Sequence, residues 1–262
     1  MQSTPRISHE AATPLPAEAL EHQLRAIGAE RYHDKHPYQV LMHEGRLTRP
    51  QMQAWVLNRF YYQSRIPMKD AAILSNAPDQ EFRRLWIQRV IDHDGREPGT
   101  GGIARWIKLG EAVGLSASTL TSFHYVLPGV RFAVDAYVNF ARTRPLLEAV
   151  ASSLTELFSA DIISRRVVAL RAHYPWIDPH GLAYFQARLV EGPRDADFAL
   201  NYVLTQARTP EEQERVLAAL RFKCDVLWSL LDALYTAYIE PGWRRDEEFA
   251  AIEAIPEPVC HD

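Results

Sequence analysis

With only two cysteines, Cys224 and Cys260, among its 262 residues, the chain has no disulfide framework to staple it. Such scarcity suits a reducing compartment, and a cytoplasmic location is expected. No apolar run approaches the ~18 residues of a membrane span, so no membrane partner is expected. An excess of one charge is missing too. The 29 Lys and Arg nearly balance 33 Asp and Glu, leaving a net charge of -4, so nothing overall attracts nucleic acid or an anionic bilayer. The first residues hold Pro5, Pro14 and Pro16 without an apolar stretch, and predict a flexible arm rather than a secretion signal.

Metal-ligand patterns are equally sparse. Glu30-Arg31-Tyr32-His33 is one Glu-x-x-His spacing without a convincing second copy, and neither His-Glu-x-x-His nor Cys-x-x-Cys occurs. No metal site is therefore expected. Pro98-Gly-Thr-Gly-Gly102 is too short for a phosphate-cradling loop and lacks its strand–turn–helix setting, which leaves a hinge or a plain loop. At its helical phase Cys224 reads as a small core residue rather than a nucleophile.

What the chain does have is helical period almost throughout. Apolar spacing predicts helices at Ala17–Ala29, Tyr38–His43, Arg49–Ile66, Met68–Ser75, Gln80–His93, Ile103–Val113, Val130–Arg142, Pro145–His173, Pro179–Glu191, Asp195–Gln206 and Pro210–Ile239. Thr48 before Arg49-Pro50, and Thr209 before Pro210-Glu211-Glu212, are favourable helix entries. Pro67 is expected to stop or kink the helix that carries Arg59. Alternating strands, repeats and interior linkers are lacking. The expectation is an all-α protein with one helical catalytic domain over residues 17–250, an arm over 1–16 and a tail over 251–262. Its site should lie between helices.

Several cations sit where ammonium and guanidinium groups are unwelcome. Lys223 falls on a face made of Val216, Ala219, Leu220, Val226, Leu227, Leu230 and Leu234. Arg59 shares a face with Met52, Trp55, Val56, Tyr62, Gln63 and Ile66, and Arg89 with Phe82, Leu85, Trp86 and His93. Tyr184 and Arg188 repeat the one-turn spacing. An unpaired buried charge is expensive, so something inside must match each of them. One instance suits a snorkelling side chain or an ion pair. Repetition on separate helices points to a pocket for a small polyanion, with His93 and Tyr184 as proton-transfer groups.

Longer stretches carry a resemblance. Arg31-Tyr-His-Asp-Lys-His-Pro37, Asn58-Arg-Phe-Tyr-Tyr-Gln63, Arg89-Val-Ile-Asp-His-Asp-Gly95, Ser153-Leu-Thr-Glu-Leu-Phe158, His173-Tyr-Pro-Trp-Ile-Asp178 and Phe222-Lys223 run in order across most of the chain. Together they resemble the pyrroloquinoline quinone synthase (PqqC) family. The resemblance implies a compact seven-helix, haem-oxygenase-like bundle acting as a homodimer. It also implies the last step in making pyrroloquinoline quinone, in which a polyanionic tricarboxylated quinone precursor is ring-closed and oxidised by O2. Hydrogen peroxide is released and no cofactor is used. Carried over by position, His93, Tyr184, Arg188 and Lys223 would be catalytic, the last three around the oxygen position. His33, Arg59, Tyr62, Gln63, Arg89, Tyr137, Glu156 and Arg166 would bind substrate. Ile163 departs from the pattern, standing where family members carry a histidine, which shifts the oxygen step toward His93 and Tyr184.

From the residues alone, plainer readings stay open. Tyr62 and Tyr137 suit core aromatics as well as ligand contacts. Glu156 suits close helix packing, or neutralises one of the arginines. A metal-dependent oxygenase of the same shape and a non-catalytic carrier of the quinone or its precursor are the competing functions.

Overall fold

The computed structural model describes residues 13–243, and every regular element within them is helical. All of the expected C-terminal tail, and the arm up to residue 12, lie outside the described residues. The α-helices are α1 (Ala17–Arg31), α2 (Pro37–His43), α3 (Arg49–Asn76), α4 (Gln80–Asp94), α5 (Gly101–Ala112), α6 (Ala117–Ser122), α7 (Pro128–Thr143), α8 (Leu146–Ala151), α9 (Ser159–His173), α10 (Ala183–Gln206) and α11 (Pro210–Tyr238). Short 3-10 turns occupy His33–Lys35, Leu154–Phe158 and Pro179–Leu182. The all-α expectation stands, although eleven α-helices among the described residues exceed the seven implied by resemblance. Among the described residues, no helix is long and apolar enough to cross a membrane.

Both long rods start where their caps predict. The Thr48 hydroxyl accepts from the Gln51 amide while the Gln51 side chain returns to the Thr48 N–H, and Thr209 and Glu212 repeat this box at α11. Helix α3 is buried on nearly every side, packing against α4, α5 and α7 along its length. That surrounding contact explains a correction: the helix runs through Pro67 instead of ending there. Packing outweighs the ~3 kcal/mol that an interior proline costs. Helix α10 likewise passes through Pro193, fusing two predicted helices into one.

The opposite correction matters more for the site. The helix predicted over Pro145–His173 breaks into α8, a 3-10 turn and α9. Hydroxyl side chains compete with the helical ladder there: Ser152 Oγ donates to the Ala149 carbonyl and Ser159 Oγ to that of Glu156. The break swings Glu156 toward the centre of the bundle. On the far side, Gly28 of α1 lies flush against the Phe158 ring, and any Cβ there would overlap it. Helix α4 ends directly after His93 because Gly95 adopts φ 82°, a left-handed conformation open to glycine.

Candidate active site

Helices α3, α4, α5, α7, α9, α10 and α11, the end of α1 and the turns at residues 33 and 154–158 surround one hollow. It holds about 730 Å³ of atom-free space, its opening included. Polar groups border it from separate rods: Tyr32 and His33; Arg59, Tyr62, Gln63 and Lys69 on α3; His93 on α4; Tyr137 on α7; Glu156; Arg166 on α9; Tyr184 and Arg188 on α10. Ile66, Trp106, Ile162, Ile163, Phe185 and Leu227 fill the spaces between them.

One wall is an ion-pair lattice. Arg89 donates to Glu156 Oε2 at 2.5 Å and to the Asp195 carbonyl at 3.3 Å. Its Nε lies 3.4 Å from Asp70 Oδ1, close enough for charge pairing but off the angle of a hydrogen bond. Arg188 reaches Glu156 Oε1 at 3.3 Å, with Glu191 and Asp195 each at 3.4 Å. Lys69 Nζ contacts Asp70 at 2.5 Å and Ser153 Oγ at 3.2 Å. Burial lowers both arginines, but their carboxylate neighbours, Glu156 first, overcome it and hold them well above the usual range. Burial likewise pushes Asp70 up, and Lys69 and Arg89 more than reverse the push.

The other wall has no acids. Among the described residues no carboxylate comes within ion-pairing distance of Arg59, Arg166 or Lys223. Arg59 lies 4.0 Å from the Tyr62 ring centroid. Arg166 donates to Gln39 Oε1 at 3.0 Å, sits 5.2 Å from the Trp55 ring, and keeps a buried Nε without a partner. Burial, with Arg59 adding its repulsion, brings Arg166 down to about 10. His33 Nδ1 is also buried without a partner, and burial together with Arg59 and Arg166 pushes its imidazole well below the usual histidine range. The site as a whole therefore carries surplus positive charge on one side.

His93 offers a free nitrogen lone pair at the hollow. Its Nδ1 lies 3.0 Å from the Arg89 carbonyl, which can only accept, so Nδ1 carries the proton and Nε2 keeps its lone pair. Burial and the Arg188 cation push the ring down to about 4, so it is neutral at ordinary pH. The Tyr184 hydroxyl is committed to Gln63 Oε1 at 2.8 Å.

Ten of the twelve residues nominated from sequence border the hollow. Arg89 and Lys223 do not. Arg89 is absorbed into the ion-pair lattice behind Glu156, and Lys223 lies behind the Tyr62 and Tyr137 rings. Sequence reasoning missed Lys69, Asp70 and Asp195. The signal for Lys69 was present: carrying the helical phase through Pro67 puts it seven residues after Tyr62 on the same face. Asp195 stands seven after Arg188 across Pro193 in the same way. Among the described residues no group of three or more His, Cys, Asp or Glu is arranged to hold a metal ion.

Solved structures define the class. A domain with a haem-oxygenase-like fold from Shewanella denitrificans OS217 matches with a TM-score of 0.68 over 87% of this chain and 94% of its own, at 12% identity. A TenA homologue from P. horikoshii OT3 matches with a TM-score of 0.67 over 83% and 98%, at 14% identity. Identities that low speak for the fold alone, and the protein is a haem-oxygenase-like helical bundle. Sequence places it further: residues 21–233 match the TENA/THI-4/PQQC family, and the chain belongs to that family. The pyrroloquinoline-quinone synthase of Granulibacter bethesdensis is 61% identical over 225 residues, 86% of this chain and 88% of that protein. That of Gluconobacter oxydans is 56% identical over 228 residues, 87% and 95%. The resemblance carried by the motifs is thereby borne out.

Proposed function

We propose that this protein catalyses the final step of pyrroloquinoline quinone biosynthesis, as a cytoplasmic homodimer that needs no metal or organic cofactor. Its substrate is a tricarboxylated bicyclic quinone precursor, which undergoes ring closure and O2-dependent oxidation with release of hydrogen peroxide. The observation that carries this reading is the acid-free wall: Arg59 and Arg166 border the hollow, and no carboxylate among the described residues pairs with them. Opposite charges ~4 Å apart at an effective dielectric of ~20 attract by about 4 kcal/mol before desolvation is subtracted. A flat polycarboxylate supplies the missing charge, and relatives named for making pyrroloquinoline quinone support a guest of that kind.

The chemistry asks little more of the chain. His93 Nε2 takes protons as the ring closes and carbon is oxidised, and the cations steady the oxyanions that result. A quinol then hands two electrons and two protons to O2, giving quinone and hydrogen peroxide. The test is anaerobic mixing with the precursor followed by oxygen. Growth of the quinone absorbance with matching oxygen uptake is expected. Binding without any oxygen uptake would make the protein a carrier and end the proposal.

A further inference from the structure

Lys223 is 1% exposed and belongs to the wall rather than to the hollow. Its Nζ donates to the Tyr62 hydroxyl at 2.7 Å and lies 3.5 Å from the centroid of the Tyr137 ring. The two tyrosine rings are nearly parallel, 6° apart with centroids separated by 6.4 Å, and both border the hollow. An ammonium has three donors and no acceptor, so the phenol oxygen is the accepting atom of that bond. Tyr62's own hydrogen must then go elsewhere. Among the described residues Tyr62 makes no hydrogen bond with that hydrogen, and it borders the hollow. Tyr184 provides the contrast, since its hydrogen is already given to Gln63.

We propose that Tyr62 is a proton donor to the bound substrate, and that Lys223 is its positioning residue rather than a contact for substrate or oxygen. The inference rests on the quinone-precursor reading of this hollow. In the ring-closing addition the amine nitrogen forms the new C–N bond and the carbonyl π pair moves onto oxygen. That oxygen takes the Tyr62 proton, and the nitrogen releases its own to His93 Nε2. The phenolate left behind lies against the Lys223 ammonium, with the Arg59 guanidinium 4.0 Å from its ring centroid. Solvent then returns a proton to Tyr62 and removes the one on His93, so the step balances without an oxidant. Burial pushes the Tyr62 phenol up and Arg59 pulls it back, so proton release there gains from a second adjacent cation. Burial first, then Arg59 and Lys69, press Lys223 toward its neutral form, with Glu156 pulling weakly the other way. In the proposed step the charge of an anionic guest offsets that pressure, and the ammonium is the form that acts.

A double-mutant cycle tests this, using Tyr62→Phe, Lys223→Met and the pair, each first checked for a cooperative melt. Tyr62→Phe is expected to lower kcat by about 10²-fold while Kd for pyrroloquinoline quinone, used as the binding probe, stays within about threefold. Lys223→Met should reproduce that pattern. The pair should be no worse than either alone, because the two act as one unit. Losses that multiply in the pair, or a large rise in Kd when Lys223→Met is added to Tyr62→Phe, would mean that Lys223 meets the ligand itself and would overturn the inference. If the wild-type protein turns over no precursor, the functional reading fails separately. The clamp is then judged in the ligand-free protein from the NMR signal of the Lys223 ammonium, titrated with pH. Tyr62→Phe moves that signal if the hydrogen bond is made, and an unmoved signal rejects it.

Discussion

The two walls of the hollow hold the same kinds of cation and use them in opposite ways. On one, Lys69, Arg89 and Arg188 interleave with Asp70, Glu156 and Asp195. On the other, Arg59, Arg166 and Lys223 meet amides, hydroxyls and aromatic rings, with no carboxylate in ion-pairing distance among the described residues. The paired wall is neutralised from within, so its charges shape the site without needing a guest, and the Arg89 backbone carbonyl on the same wall fixes the angle of His93. The unpaired wall is costly to bury and is relieved when an anion arrives. Under the proposed function, affinity for the polyanion would come mainly from the second wall and orientation from the first.

The hardest blow to that contrast is aimed at the acid with the fewest alternatives. Asp70 is 0% exposed and serves Lys69, Trp86 and Arg89 together. Asp70→Asn keeps the shape and removes the charge, leaving two buried cations with less compensation. The expected cost is about 3–5 kcal/mol, read as a lower denaturation midpoint at unchanged slope. A loss below ~1 kcal/mol would mean that the paired wall does not depend on its acid.

Acid should weaken the fold through the histidines between the walls. His93 is held down at about 4 and His33 well below its ordinary value, so across that interval the unfolded chain binds protons that the folded one refuses. The share of stability that these histidines contribute is thus fully present above pH ~6.5 and lost as pH falls from there toward 4. The His93 share is on the order of 3 kcal/mol, and His93→Gln should flatten the pH dependence of the melting temperature accordingly. An equally steep acid limb in that variant would assign the loss to other groups.

Much of this arrangement is legible in the chain, and the rest is hidden for identifiable reasons. Arg59 stands out because a cation interrupts an aromatic stripe, and the periodicity around it survives in α3. Lys69 and Asp70 stay hidden because a proline reads as a boundary, whereas surrounding helices hold α3 continuous through Pro67. Glu156 is visible through its motif, but the 3-10 turn that aims it is not, since Ser152 and Ser159 act on the backbone at a range no apolar period reports. Pairing is the deepest gap. Arg89 and Arg59 look alike on a helical wheel, and only three-dimensional neighbours tell that, among the described residues, one has acids around it and the other has none.

The mildest effect on stability belongs to the acid-free wall, and its sign is what matters. Arg166→Met removes a buried guanidinium whose one side-chain acceptor is Gln39, and puts an adaptable apolar chain beside Trp55 and Phe185. Relief of desolvation offsets the lost hydrogen bond, so stability should stay level or rise by about 1 kcal/mol. The same change should weaken binding of a tricarboxylate quinone roughly tenfold or more, since a charge-assisted contact is worth ~1.5–3 kcal/mol. Both are measurable on one preparation, by chemical denaturation and by absorbance titration. Destabilisation above ~2 kcal/mol would put Arg166 in the same role as Arg89, as a residue that holds the fold. The walls would then differ in geometry alone, and the surplus charge would no longer support the proposal of a polyanionic substrate.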